Sequence, residues 1–512
     1  MLKGGSKRNG KRLLSQQSAN GAIKAICDIM RRSNCAGALQ YVPELTWILF
    51  LRILDERESL EAEAAEAVGA EFQPSLEAPY RWQDWAAPDG PKRKELQGGT
   101  LGAFFGFVNN ELIPHLKQLR ERPNTTSRQK VISEIFSGVE RTRIDTERNL
   151  LDVLDKVNDI NHANVDPTHI FTLSQVYEGL LLKMGEKGND GGQFFTPREI
   201  IRVMVRVIDP KVGEMVYDPG CGTGGFLAQS FEHMTGPNNQ RITSSDQLDV
   251  LKARTFYGRE KDNAIYPIVL ANLVLHGIDE PHIWHGNTLT GAETYGGLFE
   301  GAPALYDVIL MNPPFGGKEG KDAQTKFAYK TGATQALFLQ HVIDTLERDG
   351  RCGIVLDEGV LFRINETAFV QTKRKLLDEC DLWCVLSLPQ GVFTAAGAGV
   401  KTNLLFFTKG KPTERTWYYD LSDIKVGKKT PLTAAHFEEF FRLLPSRADS
   451  PHSWTVTRQE IEAKGYDLKA VNPNAKPTED TRTPEELLDL IETKGREVSE
   501  AVSRLRGLTR SP

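Results

Sequence analysis

No run in this 512-residue chain is apolar for long enough to cross a bilayer; the densest, Trp47 to Leu51, is a core patch of helical size. A membrane-spanning role is thereby set aside. The six cysteines (Cys27, Cys35, Cys221, Cys352, Cys380, Cys384) contain no CxxC pair and no Cys/His ligand spacing, which points to reduced thiols rather than a disulfide frame or a metal site. Positive charge is not in excess: 63 Lys and Arg against 68 Asp and Glu give a formal net charge of −5. A protein that grips nucleic acid unaided gains affinity from many cationic contacts, so any such binding here implies help from a partner. Internal repeats are lacking too. The basic start, Met1 to Arg12, has no apolar export region, and the expected location is the cytoplasm.

With 40% hydrophobic and 26% charged residues, the chain has material for a large core and, by length, for about two or three domains. Residues 1–165 carry helical periodicity, broken from Trp82 to Gly99 and resumed over Leu101 to Leu119 and Val131 to Ile160, which predicts a helical bundle. Over 166–425 helical and strand patterns alternate, the arrangement of a doubly wound α/β sheet. Residues 426–512 form a C-terminal segment that is polar and proline-containing at first. It ends in a predicted helix over 484–505 with a seam of Leu488, Ile491, Val498, Val502 and Leu505, interrupted by Gly495. Such a seam serves either docking on a partner or packing on its own catalytic domain.

Chemistry concentrates at the ends of the predicted strands. The apolar run Tyr306 to Met311 reads as a buried parallel strand and delivers Asn312-Pro313-Pro314-Phe315 to its carboxyl end, where open α/β sheets place ligands. The Asn amide oxygen and a carbonyl freed from the ladder by the prolines are two acceptors for a planar NH2, and Phe315 offers a face for the ring bearing it. Drawing on those hydrogens makes a delocalised amine more nucleophilic. Read alone, the tetrad is also a strand-ending turn.

A second strand, Val216 to Asp218, enters the turn Pro219-Gly220-Cys221-Gly222-Thr223-Gly224-Gly225 and then an apolar helix. Glycines admit close backbone approach, and the helix start offers free amides. The turn lacks the Lys-Ser/Thr ending of a P-loop, and the acidic Asp218 favours a ligand with a positive amino group over a polyphosphate. Cys221 reads as a packing residue. The next strand ends at Glu260, suited to two ribose hydroxyls, after a polar stretch, Thr235 to Asp249, that reads as an inserted loop. Upstream, Gln193-Phe194-Phe195-Thr196-Pro197-Arg198 forms a turn with Thr196 as the expected helix N-cap. Lys318, Lys321, Lys326 and Lys330 follow the tetrad in a glycine-rich segment that either lines bound strand or is plain loop.

In this order the motifs resemble those of the N6-adenine DNA methyltransferases, and more closely the modification subunit of type I restriction-modification systems; the likeness covers roughly residues 20–410 and includes Tyr41 to Glu56 and Phe171 to Leu182. The resemblance implies a Rossmann-like S-adenosylmethionine-dependent methyltransferase sheet behind an α-helical bundle domain. It implies a cofactor site lined by Gln193, Phe194, Phe195, Thr196, Pro197, Arg198, Gly220, Gly222, Thr223, Gly224 and Gly225, with Asp218 near the methionine amino group and Glu260 on the ribose. Asn287 stands where many relatives carry Asp. Asn312 and Pro313 would accept from adenine N6, Phe315 would stack on the base, and Phe393, in Pro389 to Phe393, is a candidate second face or a loop anchor.

The same resemblance implies duplex DNA as substrate, a separate DNA-specificity subunit bound by two modification subunits, and in some systems a restriction subunit. Sequence choice and cleavage then lie elsewhere, since neither a sizeable DNA-reading region after the last strand nor a nuclease or helicase motif is present. A protein-glutamine methyltransferase, whose substrate also offers a planar NH2, and an inactive scaffold are the alternatives; intact Asp218, Glu260 and Asn312 argue against the scaffold.

Overall fold

The structure, a computed structural model, describes residues 25–33, 38–159, 196–293, 301–393, 399–427, 430–474 and 483–508. It divides into two compact units, Met1–Val471 and Asn472–Pro512.

The larger unit begins with helices. α1 (Ala38–Ala67) buries Leu45, Trp47, Ile48, Phe50 and Leu51, the densest apolar run of the chain. The break predicted over Trp82 to Gly99 holds two short helices, Trp82–Trp85 and Pro91–Gln97. α2 (Ser127–Phe136) opens on a capping box between Thr126 and Gln129. In α3 (Glu147–Asn158), Leu150, Val153, Leu154 and Val157 recur at helical spacing and are buried.

Among the described residues ten strands form one sheet: β1 (Val216–Asp218), β2 (Phe256–Glu260), β3 (His282–Asn287), β4 (Ala292–Glu293), β5 (Tyr306–Met311), β6 (Leu346–Asp357), β7 (Cys380–Ser387), β8 (Thr402–Lys409), β9 (Arg415–Asp420) and β10 (Ser453–Thr457). Their order is β10-β9-β7-β8-β6-β5-β1-β2-β3-β4. Neighbours from β3 through β6 pair in parallel, while β8 runs antiparallel between β6 and β7. The chain order turns back between β1 and β5, so a crevice opens at their carboxyl ends, and there the sheet accepts a ligand.

Both faces are covered, which is why β5 is almost wholly apolar. Val308 and Leu310 pack with α4 (Arg198–Ile208), α5 (Gly225–Thr235) and α6 (Tyr266–His276); Ile309 and Met311 pack with α7 (Thr334–Thr345) and α8 (Thr367–Glu379). The exception on β5, Asp307, accepts the Met215 amide at 2.8 Å. α6 is buried nearly all round because the helical domain covers the side turned from the sheet, and one apolar core runs through all three layers. Just beyond α6, Asp279 receives Arg57 at 3.1 Å, Arg128 at 2.9 Å and Lys252 at 3.6 Å, pinning the helical domain to the catalytic one.

Three sequence expectations change. The sheet continues past residue 425, since the polar stretch contributes β10, paired antiparallel with β9. Part of the stretch Thr235 to Asp249 is the start of a helix, Ser245–Ala253, capped by Ser244. The helix after Thr196 has Pro197 as N-cap with no side-chain cap bond, because the Thr196 hydroxyl is turned to Asn312 instead. The smaller unit carries α9 (Pro484–Leu508), which runs through Gly495 without a break and exposes Leu488, Ile491, Val498 and Val502.

Candidate active site

A cavity of about 290 Å³ lies at the carboxyl ends of β1, β2, β3 and β5. Most of the residues singled out in the sequence converge on it. Thr196, Arg198, Asp218, Gly220, Gly222, Thr223, Gly225, Glu260, Asn287, Asn312, Pro314 and Phe315 line its wall. Pro313 is buried behind the wall, and Pro197, Gly224 and Phe393 are likewise not part of it. Gln193, Phe194 and Phe195 lie outside the described residues.

The glycine turn is shaped by its surroundings. Gly224 has φ +79°, and a Cβ there would meet a Val269 methyl at 2.8 Å; one on Gly225 would meet Ile201 at 2.7 Å. The turn therefore sinks onto α4 and α6 and brings its backbone to the cavity. Asn272, buried on α6, donates to the Thr223 carbonyl at 2.8 Å and fixes the turn from below. A lone Asn in the run Tyr266 to His276 was a legible signal that sequence reasoning passed over. Arg259, whose guanidinium lies 4.4 Å from the Trp284 ring centroid, and Phe338 on α7 also line the cavity and carried no such signal.

Two carboxylates face this space from adjacent strands. Asp218 is 1% exposed; burial pushes its pKa up to about 8, the Gly220 amide at 3.2 Å opposes that, and Glu260 adds to it. Glu260 is raised to about 7 by burial, although it accepts the Asp262 amide at 2.8 Å and the Gly222 amide at 2.9 Å. Among the described residues neither carboxylate has a cationic side chain bonded to it, so the pair is strained towards a ligand that brings positive charge and hydroxyl donors. That donor set fits the amino group and ribose of S-adenosylmethionine. Cys221, in the same turn, has its thiol pKa raised well above the usual value by burial and the neighbouring carboxylates, which suits packing rather than attack.

At the end of β5 the Asn312 amide is oriented. Its Nδ2 donates to Thr196 Oγ1 at 3.0 Å, and its Oδ1 is buried without a partner among the described residues. An unpaired buried acceptor is unfavourable by about 1–3 kcal/mol, which a bound donor removes. Phe315 stands beside it, with the Phe393 ring edge-on at 5.2 Å between centroids and 65° between planes; Phe393 is wholly buried. Asn287, at the end of β3, turns its Oδ1 to the Leu289 amide at 2.9 Å.

Two family models match most of the chain. The N-6 DNA methylase family matches residues 168–482, and the HsdM N-terminal domain matches residues 20–157. The chain is 34% identical over 508 residues to the EcoEI methylase subunit of a type I restriction enzyme from Escherichia coli, covering 96% of this chain and 97% of that one. It is 30% identical over 460 residues to the EcoKI methylase subunit of Escherichia coli K12, covering 85% and 79%. Among solved structures, a chain from a study of assembly and conformational transition in a type I R-M system shares 36% identity with a TM-score of 0.70, covering 98% of this chain and all of its own. One described as a type I restriction enzyme modification subunit, from Vibrio vulnificus YJ016, shares 33% identity with a TM-score of 0.77, covering 90% and 98%. With the adenine-type tetrad and the acidic, glycine-lined cavity in one crevice, the chain belongs to the N-6 DNA methylase family, as a methylase subunit of the type I restriction-modification class.

Proposed function

We propose that transfer to adenine N6 in duplex DNA, the activity of this family, is carried out here by Asn312 and its neighbours at the crevice between β1 and β5. S-adenosylmethionine, when bound, supplies an electrophilic methyl group. Asp218 holds the amino group of the methionine moiety, Glu260 takes the ribose hydroxyls, and the turn from Gly220 to Gly225, with Thr196 and Arg198, encloses the rest. Gln193, Phe194, Phe195, Pro197 and Asn287 complete this site in the proposal.

The target adenine cannot reach the crevice while paired, so it swings out of the duplex at about a few kcal/mol for unstacking. Phe315 stacks on the base and recovers part of that, with Phe393 buttressing Phe315 from its edge. Asn312 Oδ1 and the Pro313 carbonyl accept the two N6 hydrogens and draw the amine towards a tetrahedral, electron-rich form. Once methylated, the amine is strongly acidic and its proton leaves to water, so no general base is assigned.

The partnerless, buried Oδ1 of Asn312, held outward of its own bonded Nδ2, carries this reading. Asn312→Ala is expected to lower labelled-methyl transfer to adenine-containing duplex by at least about a thousandfold, with calorimetric affinity for S-adenosylmethionine unchanged. Loss of both together would make the tetrad structural and defeat the assignment. Transfer to protein glutamine rather than duplex would support the other planar-amide substrate.

The protein works on DNA in a complex with other subunits. In the proposal, two copies bind one DNA-specificity subunit, a restriction subunit joins in some assemblies, and all act in the cytoplasm. The division into a helical domain (1–165), a catalytic domain (166–425) and a C-terminal segment (426–512) is proposed with the catalytic sheet extended to β10. The exposed seam of α9, with Leu488, Ile491, Val498 and Val502, is the proposed docking element for the specificity subunit.

A further inference from the structure

Beyond the cofactor crevice lies a second cavity of about 560 Å³. A thin partition separates the two: the Glu319 amide donates to the Gly332 carbonyl at 2.9 Å and the Thr334 amide to the Gly317 carbonyl at 3.1 Å. This neck is tight, since a Cβ on Gly317 would meet Thr334 Oγ1 at 2.5 Å. It begins two residues after Phe315, and Gly317, Lys318 and Thr334 belong to both walls.

The second cavity is mainly apolar inside, with a few polar side chains, and Lys318 and Arg363 stand among its lining residues beside the carboxylates of Asp357 and Glu366. Gln335, the second residue of α7, lines it and is 3% exposed. Its Oε1 accepts the Asp357 amide at 3.1 Å, and its Nε2 is buried without a partner among the described residues. The bond to Asp357 fixes which way the amide points, leaving Gln335 a donor with nothing to donate to. Val360 and Phe369 supply apolar wall, and the Arg363 guanidinium lies 4.9 Å from the Phe369 ring centroid. Lys318 and Arg363 are both exposed, while Glu366 tempers Arg363 at 3.5 Å.

An oriented donor, an apolar wall and two cations at the rim match one nucleotide: base inward, phosphate outward. We infer that the second cavity receives the nucleotide next to the methylated adenine on the same strand, with Gln335 donating to an acceptor on its base edge and Lys318 and Arg363 facing its phosphate. The partition after Phe315 then acts as a divider between the swung-out adenine and its neighbour. This rests on the adenine-transfer reading and adds to it a contact to the flanking base made by the methylating subunit itself.

The test uses the complete complex with its specificity subunit and a duplex carrying its methylation site, identified by sequencing genomic N6-methyladenine. Gln335→Glu keeps the acceptor for the Asp357 amide and removes the donor. Its KM for duplex is expected to rise by about tenfold, with kcat and affinity for S-adenosylmethionine within about twofold of wild type. An abasic residue on one side of the target adenine should impose a similar rise on wild type and almost none further on the variant. An unchanged KM, a fully additive abasic penalty, or a parallel loss of cofactor binding would each overturn the inference. If the wild-type complex fails to methylate the duplex at all, the adenine-transfer reading falls instead, which separates the two failures.

Discussion

Asp218 links cofactor affinity to pH with a definite sign. Its carboxyl is buried beside Glu260 and raised to about 8, so near neutrality most of the cofactor-free protein holds it protonated. An ammonium group needs the ionised form, and binding must release a proton. If the complex holds Asp218 ionised throughout, the available fraction rises roughly fiftyfold between about pH 6 and about pH 8, since each pH unit below the pKa is worth about 1.4 kcal/mol. Glu260, raised to about 7, steepens the dependence below that value, and the two titrate as a coupled pair. Isothermal titration of S-adenosylmethionine across this range, in buffers of different ionisation enthalpy, should give tighter binding and net proton release as pH rises, levelling off above about pH 8. Asp218→Asn should weaken binding at pH 8 and flatten the profile to the part due to Glu260. A wild-type affinity constant from pH 6 to 8, without proton release, would refute the placement of a cation at Asp218.

The same linkage has a stability consequence of opposite direction. A carboxyl whose folded pKa lies above its unfolded value of about 3.9 contributes stability that is complete below that value and is lost as pH rises through the folded pKa, here about 8. The cofactor-free protein is therefore less stable at neutrality than it would be without this carboxylate. Asp218→Asn should raise its melting temperature at pH 8 while shrinking the increment that S-adenosylmethionine adds. The catalytic crevice is a place where fold stability has been given up for ligand charge.

Two further outcomes test the architecture. Asp279→Ala removes the acceptor shared by Arg57, Arg128 and Lys252, and should destabilise the protein by about 1–2 kcal/mol in chemical denaturation, because partly buried cations lose one carboxylate while Glu61 still holds Arg57 and Glu58 and Glu61 still hold Arg128; a change within about 0.5 kcal/mol would show that apolar packing on α6 alone joins the domains. Deleting residues 484–512 should leave cofactor binding intact and abolish co-sedimentation with the specificity subunit, whereas an intact complex would reject α9 as the docking element.

Much of the crevice was legible because its parts sit at strand ends. The buried run Tyr306 to Met311 identified β5 through its composition, and the position of Asn312 followed from where such a strand stops. Asp218 and Glu260 were legible in the same way, as the last residues of β1 and β2. What escaped notice depends on packing between distant segments. β10 spans only Ser453–Thr457, shows no buried/exposed alternation and is fixed by pairing with β9, which no local pattern announces. Gln335 carries no local signal of its own; its orientation comes from the Asp357 amide twenty-two positions away. Asn272 was visible as the odd residue in an apolar helix, yet its role needs the Thr223 carbonyl of the glycine turn above it.

Thr196 shows most clearly how tertiary demand overrides a local rule. Ser or Thr before a Pro and a helix is a strong capping signal, and a hydroxyl diverted from that duty forgoes about 1 kcal/mol of helix stability. Here it is diverted to Asn312 Nδ2, 116 positions along the chain, and this bond decides which end of the amide is left as acceptor. Without that hydroxyl both amide orientations become comparable in energy, and the wrong one presents an NH2 to the substrate NH2. Thr196→Val keeps the side-chain volume and should lower kcat by about tenfold or more, with affinity for S-adenosylmethionine changed by less than about threefold. Thr196→Ser should restore most of the rate, because the bond needs only the hydroxyl. If serine fails to rescue, or if valine acts through cofactor affinity alone, Thr196 belongs to the cofactor wall and does not orient the acceptor.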